Sequence, residues 1–161
     1  INKMSHIIGG LFGGKKEIMS IIGHGVAQGG TFTNNKPGVA AAWATLNVLQ
    51  NEPVIKTIEK RGKRLMDGIG DLFTEADLQV CISGYPAMFS FAFGVENPTD
   101  QRSWNQSDKE YYLALIQALI ERGIMPDYDP REPWFLCYSH SDADIDKTLE
   151  VVREAIKVTK R

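Results

Sequence analysis

Hydrophobic residues between positions 37 and 75 recur at helical spacing and predict two helices. The first begins near Pro37, because proline is favoured in the first turn of a helix, and it ends at the break Asn51-Glu52-Pro53. Val39, Trp43 and Leu46 share one side of this helix. The second helix follows the break, and its predicted apolar side consists of Val54, Ile58, Leu65, Ile69 and Leu72.

The opposite side of the second helix is basic. Its charged residues are Lys56, Lys60, Arg61, Lys63 and Arg64. A face of this kind is typical of a solvated helix surface, and the alternative is a surface for a partner. Three glycines of the same helix, Gly62, Gly68 and Gly70, either weaken it or mark positions of close packing.

From residue 78 onward the spacing changes to that of strands. Residues 78–83 and 87–93 are two strand-like segments separated by Gly84-Tyr85-Pro86. In the second segment phenylalanine alternates with other residues, at Phe89, Phe91 and Phe93. This alternation predicts that one side of the strand faces the core.

The last part of the chain alternates between helix and strand. A polar loop at 96–106 leads to a helix that we expect to begin at Ser107, because Glu110 follows it at capping-box spacing. A short strand at 134–138 comes next, and a final helix opens at Ser141. The order strand, strand, helix, strand, helix predicts a small α+β unit, with helices covering one face of a mostly antiparallel sheet.

Composition excludes several classes of function. The chain has 43% hydrophobic and 24% charged residues and a net charge of −2, with no basic stripe, so nucleic acid and membrane are not expected partners. Cys81 and Cys137 lie in apolar segments, and we expect buried, reduced thiols in a cytoplasmic protein, a disulfide between neighbouring strands being the alternative. No cysteine or histidine spacing predicts a metal site.

The first 30 residues are rich in glycine and predict loops with one short helix near residues 15–22. The chain begins with Ile1 rather than with methionine. We therefore expect it to be part of a longer protein.

The segment from Gln28 to Ala42 carries the clearest chemical signal. Gly29, Gly30 and Thr31 form a predicted turn that runs directly into an alanine-rich helix. Such a turn offers backbone N–H groups and a hydroxyl to an anion, so the segment suits a phosphate group. The alternative is an ordinary turn before a helix.

This segment resembles the Gly-Thr-x-Ser/Thr-x-Asn turn of the class III, fold-type I aminotransferases that depend on pyridoxal phosphate, in particular those like glutamate-1-semialdehyde aminomutase. The resemblance extends over almost the whole chain. It includes the stretches from Ser5 to Gly10, from Phe12 to Met19 and from Glu132 to His140, and the start of the last helix at Asp144-Ile145-Asp146. Each motif is weak alone, and their order and spacing together are fairly specific.

The resemblance implies an α/β fold whose C-terminal part is α+β. Residues 1–36 would be the end of the large cofactor-binding domain, 37–76 the connecting helices and 77–161 the small C-terminal domain. It implies pyridoxal 5'-phosphate as cofactor, with Gly30 and Thr31 binding the phosphate for the active site of the neighbouring subunit of a homodimer. The implied activity is amino-group transfer between an amino acid or amine, as small-molecule donor, and a carbonyl acceptor.

His6 limits this interpretation. By the resemblance it stands at the position of the lysine that forms the Schiff base with the cofactor, and imidazole cannot replace a primary amine in that role. The family also has a Gly-x-Pro-x-Gly stretch between the positions of Gly10 and Leu11, which this sequence lacks. A deliberate substitution, a misread sequence and a natural non-catalytic relative are three open explanations. With His6 as written, the chain should not transaminate.

Glu132 matches a glutamate near the substrate in the aminomutase branch, where a carboxylate could hold or orient an amino group. The alternative is a loop glutamate paired with Arg131 or another exposed base. Two other functions remain open for the chain as a whole. It could be a non-catalytic subunit or binding module with this fold, because of His6, or a separate α+β interaction domain.

Overall fold

The computed structural model describes residues 13–33 and 35–159 of the 161-residue chain. The chain divides into two compact units, Ile1–Pro53 and Val54–Arg161. His6 lies outside the described residues. The domain limits expected at residues 36 and 76 stay a prediction. In the structure, the helix after Pro53 belongs to the same compact unit as the residues that follow it.

The described part of the first unit contains two helices. Helix α1, Lys16–Met19, lies within the segment predicted to hold a short helix, and an isolated bridge pairs Ile22 with Val26. Helix α2, Lys36–Asn51, confirms the helix predicted from Pro37 to the break. No residue of this part of the unit is buried.

The second unit contains the remaining elements. These are helix α3 (Val54–Glu75), strands β1 (Val80–Tyr85) and β2 (Met88–Phe93), helices α4 (Gln101–Trp104) and α5 (Lys109–Ile120), strand β3 (Trp134–Phe135) and helix α6 (Asp142–Thr159). The strands form an antiparallel sheet in the order β1-β2-β3. The predicted α+β unit is confirmed.

The core of the second unit lies between the sheet and helices α3, α5 and α6. Phe89, Phe91 and Phe93 are 0–3% exposed, as the alternation of β2 predicted. The ring of Phe73 from α3 meets those of Phe91 and Phe93 edge-on, at centroid distances of 5.5 and 5.1 Å. Edge-to-face contacts of this kind add to the free energy gained from burying the rings.

Helix α5 begins one residue later than predicted. Its N-cap is Asp108 rather than Ser107, and the Asp108 carboxylate accepts the Tyr111 N–H at 2.8 Å. A tertiary hydrogen bond explains this choice of cap. The Asp108 N–H donates to the carbonyl of Phe93 at 2.8 Å, and this bond places Asp108 at the end of β2. The predicted capping role of Ser107 is therefore wrong.

The polar loop at 96–106 contains helix α4, which the sequence analysis did not predict. Asp100 and Ser103 form a reciprocal capping box at its start. Aspartate is a favoured N-cap residue, so Asp100 was a signal for the start of this helix, while serine is not the usual residue at the position of Ser103.

The predicted start of helix α6 is confirmed. The Ser141 N–H donates to the Asp144 carboxylate at 2.7 Å, and the Asp144 N–H donates to the Ser141 hydroxyl at 3.2 Å. Two of the three glycines of α3, Gly62 and Gly68, mark close packing, and Gly70 does not. A Cβ at Gly62 would lie 2.0 Å from the Pro86 carbonyl oxygen, and one at Gly68 would lie 2.8 Å from Leu149.

Both cysteines are free thiols, as expected, but Cys137 is exposed rather than buried. Among the described residues, no helix combines the length and the apolar character that crossing a membrane requires.

Candidate functional site

The first candidate site is the turn that precedes α2. Gly30 and Thr31 lie in this turn, and the Thr33 N–H donates to the Gly30 carbonyl at 3.0 Å. The backbone here is open, since a Cβ added at Gly29 would meet no atom within 4 Å. Within the described residues, the N–H groups of Gly30 and Thr31 and the Thr31 hydroxyl make no hydrogen bond. These donors are free to bind a ligand.

Helix α2, which begins at Lys36 five residues after Thr31 in sequence, has a field at its N-terminus that favours an anion. Asn35 caps the helix, its side-chain oxygen accepting the Gly38 N–H at 3.0 Å and its carbonyl accepting the Val39 N–H at 2.9 Å. The N-terminus of a 16-residue helix carries partial positive charge. Lys36 contributes a full positive charge at the first helical position. The residues present therefore fit a phosphate group.

The same end of the first unit exposes large apolar side chains. Phe32 is 59% exposed, Val39 58% and Trp43 69%. Val39 and Trp43 lie four residues apart and so share one side of α2. The helical spacing predicted this apolar side, and within the described residues it is exposed.

The second candidate site is the loop before β3, in the second unit. Two aspartates shape this loop by accepting backbone N–H groups two residues further on. Asp127 accepts from the Asp129 N–H at 2.8 Å, and Asp129 accepts from the Arg131 N–H at 2.9 Å. The Glu132 N–H then donates to the Asp129 carbonyl at 3.0 Å. Local hydrogen bonds of this type hold the backbone at Glu132 in place.

Arg131 forms its ion pair with Asp129, and the attraction of Glu132 is the smaller influence that also raises the pKa of Arg131. Its Nε lies 2.8 and 3.0 Å from the two Asp129 carboxylate oxygens, and a further contact comes from Nη2. The side-chain hydrogen bond from Arg131 lowers the pKa of Asp129 to about 2. The ion pair with Arg131 that the alternative interpretation of Glu132 assumed is therefore made by Asp129 instead, and Glu132 itself is exposed.

A side chain of helix α5 holds the same loop by a hydrogen bond. The Tyr112 hydroxyl donates to the Asp127 carbonyl at 3.0 Å. Burial raises the pKa of Tyr112, and the neighbouring Trp134 side chain opposes this shift. Tyr112 therefore stays a neutral hydrogen-bond donor over the physiological range.

An exposed apolar row crosses the sheet, and one of its members, Phe135, lies three residues after Glu132 in sequence. In the sheet register Tyr85 pairs with Met88, and Met88 pairs with Phe135. Directly paired residues of antiparallel strands point to the same face, and these three are 77, 44 and 63% exposed. The sequence analysis missed this row, although the alternation that assigned Phe89 to the core also placed Met88 on the opposite face.

The predicted site residues thus lie in separate parts of the chain. Gly30 and Thr31 are neighbours in the open turn of the first unit, and Glu132 belongs to the second unit. His6 lies outside the described residues, so its expected role stays a prediction.

Comparison with known proteins identifies relatives. The chain is 34% identical over 161 aligned residues to a glutamate-1-semialdehyde 2,1-aminomutase of Desulfitobacterium hafniense, which covers 96% of this chain and 37% of the relative. It is 32% identical over 150 residues to the enzyme of that name from Methanococcoides burtonii, covering 92% and 35%. The chain therefore spans little more than a third of the length of these relatives. No protein-family model matches it.

Solved structures share its fold. A β-phenylalanine aminotransferase from Variovorax paradoxus matches with a TM-score of 0.79 at 22% identity, over 91% of this chain and 34% of that protein. An omega-transaminase from Sphaerobacter thermophilus matches with a TM-score of 0.71 at 20% identity, over 92% and 35%.

Proposed function

We propose that the chain takes part in amino-group transfer dependent on pyridoxal 5'-phosphate. It is a homologue of the glutamate-1-semialdehyde 2,1-aminomutases over 35–37% of their length, and it has the fold of the fold-type I transaminases. The main support for this proposal is the 34% identity to the aminomutase of Desulfitobacterium hafniense over nearly the whole of this chain. The reaction would move an amino group between an amino acid or amine and a carbonyl compound, by transfer between molecules or, as the name aminomutase says of the relatives, within one.

In this proposal the chain is the C-terminal portion of a longer enzyme. Residues 1–36 are the end of a large domain, residues 37–76 connect, and residues 77–161 form a small domain. The bound cofactor would supply an electron sink for the reaction, and the protein would supply binding and orientation.

Gly30 and Thr31 bind the cofactor phosphate in this proposal. Their free N–H groups, the Thr31 hydroxyl and the N-terminal end of α2 support this role, because a dianionic phosphate gains strong hydrogen bonds from such donors.

The enzyme would be a cytoplasmic homodimer, with Gly30 and Thr31 serving the active site of the second copy. The exposed Phe32, Val39 and Trp43 support a protein interface at this end of the first unit.

Glu132 is proposed to lie near the substrate and to orient its amino group. Its exposed carboxylate, on a loop held by local hydrogen bonds, supports this role. The exposed row of Tyr85, Met88 and Phe135 would offer an apolar surface beside it.

The test is a visible spectrum of the complete protein with pyridoxal phosphate, followed by borohydride reduction and peptide mapping. We expect a coloured, reducible adduct that maps to a lysine at position 6 if the printed His6 is misread or engineered. Absence of cofactor binding in the complete protein would contradict the proposal.

A second function is favoured by one observation, the histidine at position 6. If His6 is native, the protein is a non-catalytic binding module that holds the cofactor or another phosphate ester without reacting. A His6→Lys variant separates the two functions. Gain of amine-dependent spectral change supports the enzyme, and continued silence with every amine donor supports the binding module.

A further inference from the structure

One side chain of the basic face of α3 is set apart by its contacts. Arg61 was expected to belong to a solvated surface, yet its side chain is 22% exposed, against 69% for Lys63 and 47% for Arg64. Its partners lie 77 to 81 residues further along the chain. Arg61 therefore joins α3 to the segment between β3 and α6.

The contacts of Arg61 are with three residues that lie within positions 138–142. Its Nη1 donates to the His140 carbonyl at 2.8 Å and lies 3.4 Å from the Tyr138 carbonyl, and its Nη2 lies 3.3 Å from the Asp142 carboxylate. A planar guanidinium with several donors can hold such a set at once, and a lysine ammonium cannot reproduce the geometry.

The segment that Arg61 holds is also organised internally. The Cys137 N–H donates to His140 Nδ1 at 3.0 Å, and the His140 N–H donates to the Cys137 carbonyl at 3.2 Å. The segment is therefore a compact turn and not a loose connection. Fixing it at His140 and Tyr138 fixes the residues just before it.

The other end of this segment is tied to the same turn of α3. The Leu136 N–H donates to the Ala87 carbonyl at 3.0 Å, beside the β1–β2 turn that contains Pro86. Gly62, the neighbour of Arg61, meets Pro86 so closely that an added Cβ would lie 2.0 Å from its carbonyl oxygen. Residues 61 and 62 thus contact both the β1–β2 turn and the segment after β3.

We propose that Arg61 is a positioning residue that fixes the path of residues 132–140 and, through it, the place of the Glu132 carboxylate. This inference rests on the proposed role of Glu132 near the substrate. Glu132 stands two residues before Trp134, which is buried and pairs with Phe89 in the sheet. Strand β3 has only two residues, so its position depends on what holds both of its ends.

The experiment uses the complete protein carrying His6→Lys, because His6 cannot form the Schiff base, and in that protein it compares Arg61→Ala with the matched control Arg64→Ala. Arg64 lies on the same helix and contacts the carboxylates of Asp142 and Asp146. We expect Arg61→Ala to lower kcat/KM for the amine donor about tenfold or more, because small displacements of a positioning group cost rate steeply. Cofactor absorbance should be unchanged in both variants, and Arg64→Ala should keep the original kcat/KM.

A double-mutant cycle separates positioning from a merely structural effect. If Arg61 acts through Glu132, then Arg61→Ala lowers kcat/KM much less in a Glu132→Gln background than in the His6→Lys protein. Arg61→Lys, which keeps the charge but not the fork of donors, should recover only part of the activity. Assays are run at a temperature well below the melting point of every variant.

The outcomes distinguish the two proposals. Fully additive effects of Arg61→Ala and Glu132→Gln, or equal losses in Arg61→Ala and Arg64→Ala, overturn the positioning role alone. Unchanged kinetics in Glu132→Gln overturn the proposed role of Glu132, and the positioning role with it.

Discussion

Helices α2 and α3 each have an apolar side, which is much less marked in the alanine-rich α2, and their environments are opposite. Each carries apolar residues at helical spacing, yet α2 has no buried residue while α3 buries six. Trp43 on α2 is 69% exposed, whereas Phe73 on α3 is 1% exposed. The comparison teaches that periodicity identifies an apolar side of a helix but does not tell whether the same chain covers it.

The difference between the two helices follows the two units. The second unit supplies its own cover for α3 from the sheet and from α5 and α6. The described part of the first unit instead has a turn whose N–H groups at Gly30 and Thr31 make no hydrogen bond and, further along the chain, an exposed apolar side of α2. An exposed patch beside unpaired polar groups is typical of a region that functions in contact with another molecule.

The largest expected effect is a loss of stability in the second unit that has no counterpart in the first. Phe73→Ala removes a ring packed against Phe91 and Phe93 and should lower the free energy of unfolding by about 3–5 kcal/mol. Trp43→Ala should change it by less than about 0.5 kcal/mol in the 161-residue chain, since the ring is exposed. Urea denaturation measures both. Similar losses in the two variants would contradict the comparison.

A second pair of variants tests close packing within α3. Gly62→Ala should destabilise the chain by about 1–3 kcal/mol, because the added methyl meets the rigid Pro86 backbone at 2.0 Å. Gly70→Ala is the control, since its Cβ would lie 3.4 Å from the flexible end of Ile82. There alanine should be neutral or should stabilise the helix by up to about 1 kcal/mol. Thermal unfolding curves of equal midpoint for the two variants would show that the approach at Pro86 is not tight.

A smaller effect is expected at the start of α2. Asn35→Ala removes the side chain that accepts the Gly38 N–H, and a lost N-cap costs about 1 kcal/mol. Asn35→Asp should keep most of the cap. Because α2 is not buried in this chain, the loss should be seen as fraying of α2 by amide hydrogen exchange, without change in the second unit. Unchanged exchange in α2 would mean that the cap does not stabilise it.

The smallest effect concerns pH in the loop before β3. The pKa of Asp129 is about 2, below its ordinary 3.8, so the pair with Arg131 contributes to stability above about pH 4, and that contribution is lost as the pH falls towards 2. Because the pair is exposed, the change in stability should be small. Carboxyl NMR should show that Arg131→Ala raises the pKa of Asp129 towards 3.8. An unchanged titration midpoint in that variant would rule out Arg131 as the cause.

Local signals in the sequence predicted most of the second unit. The alternation at Phe89, Phe91 and Phe93 identified the core side of β2, and the spacing of Ser141 and Asp144 identified the start of α6. The choice of Asp108 over Ser107 as the cap of α5 could not be predicted, because both are good caps and a bond from Asp108 to Phe93 decides between them.

The candidate sites were predicted less completely. The motif around Gly30 and Thr31 predicts an anion-binding turn, which stays a prediction, and within the described residues the N–H groups of this turn at Gly30 and Thr31 make no hydrogen bond. The contacts of Arg61 join residues 77 to 81 positions apart, and no local pattern encodes such pairs. The pairing of Arg131 with Asp129 rather than Glu132 depends on the turn that Asp129 itself makes.

The central claim is that the turn at Gly30 and Thr31 binds the phosphate of the cofactor. The most direct test compares the affinity of the complete protein and its Thr31→Ala variant for pyridoxal phosphate and for pyridoxal, which lacks the phosphate. Thr33→Ala, in the same turn, is the control. A hydrogen bond to a charged group is worth about 1.5–3 kcal/mol, so Thr31→Ala should weaken pyridoxal phosphate binding about tenfold to a hundredfold and leave pyridoxal binding unchanged. Equal weakening for both ligands, or none for either, would contradict the claim.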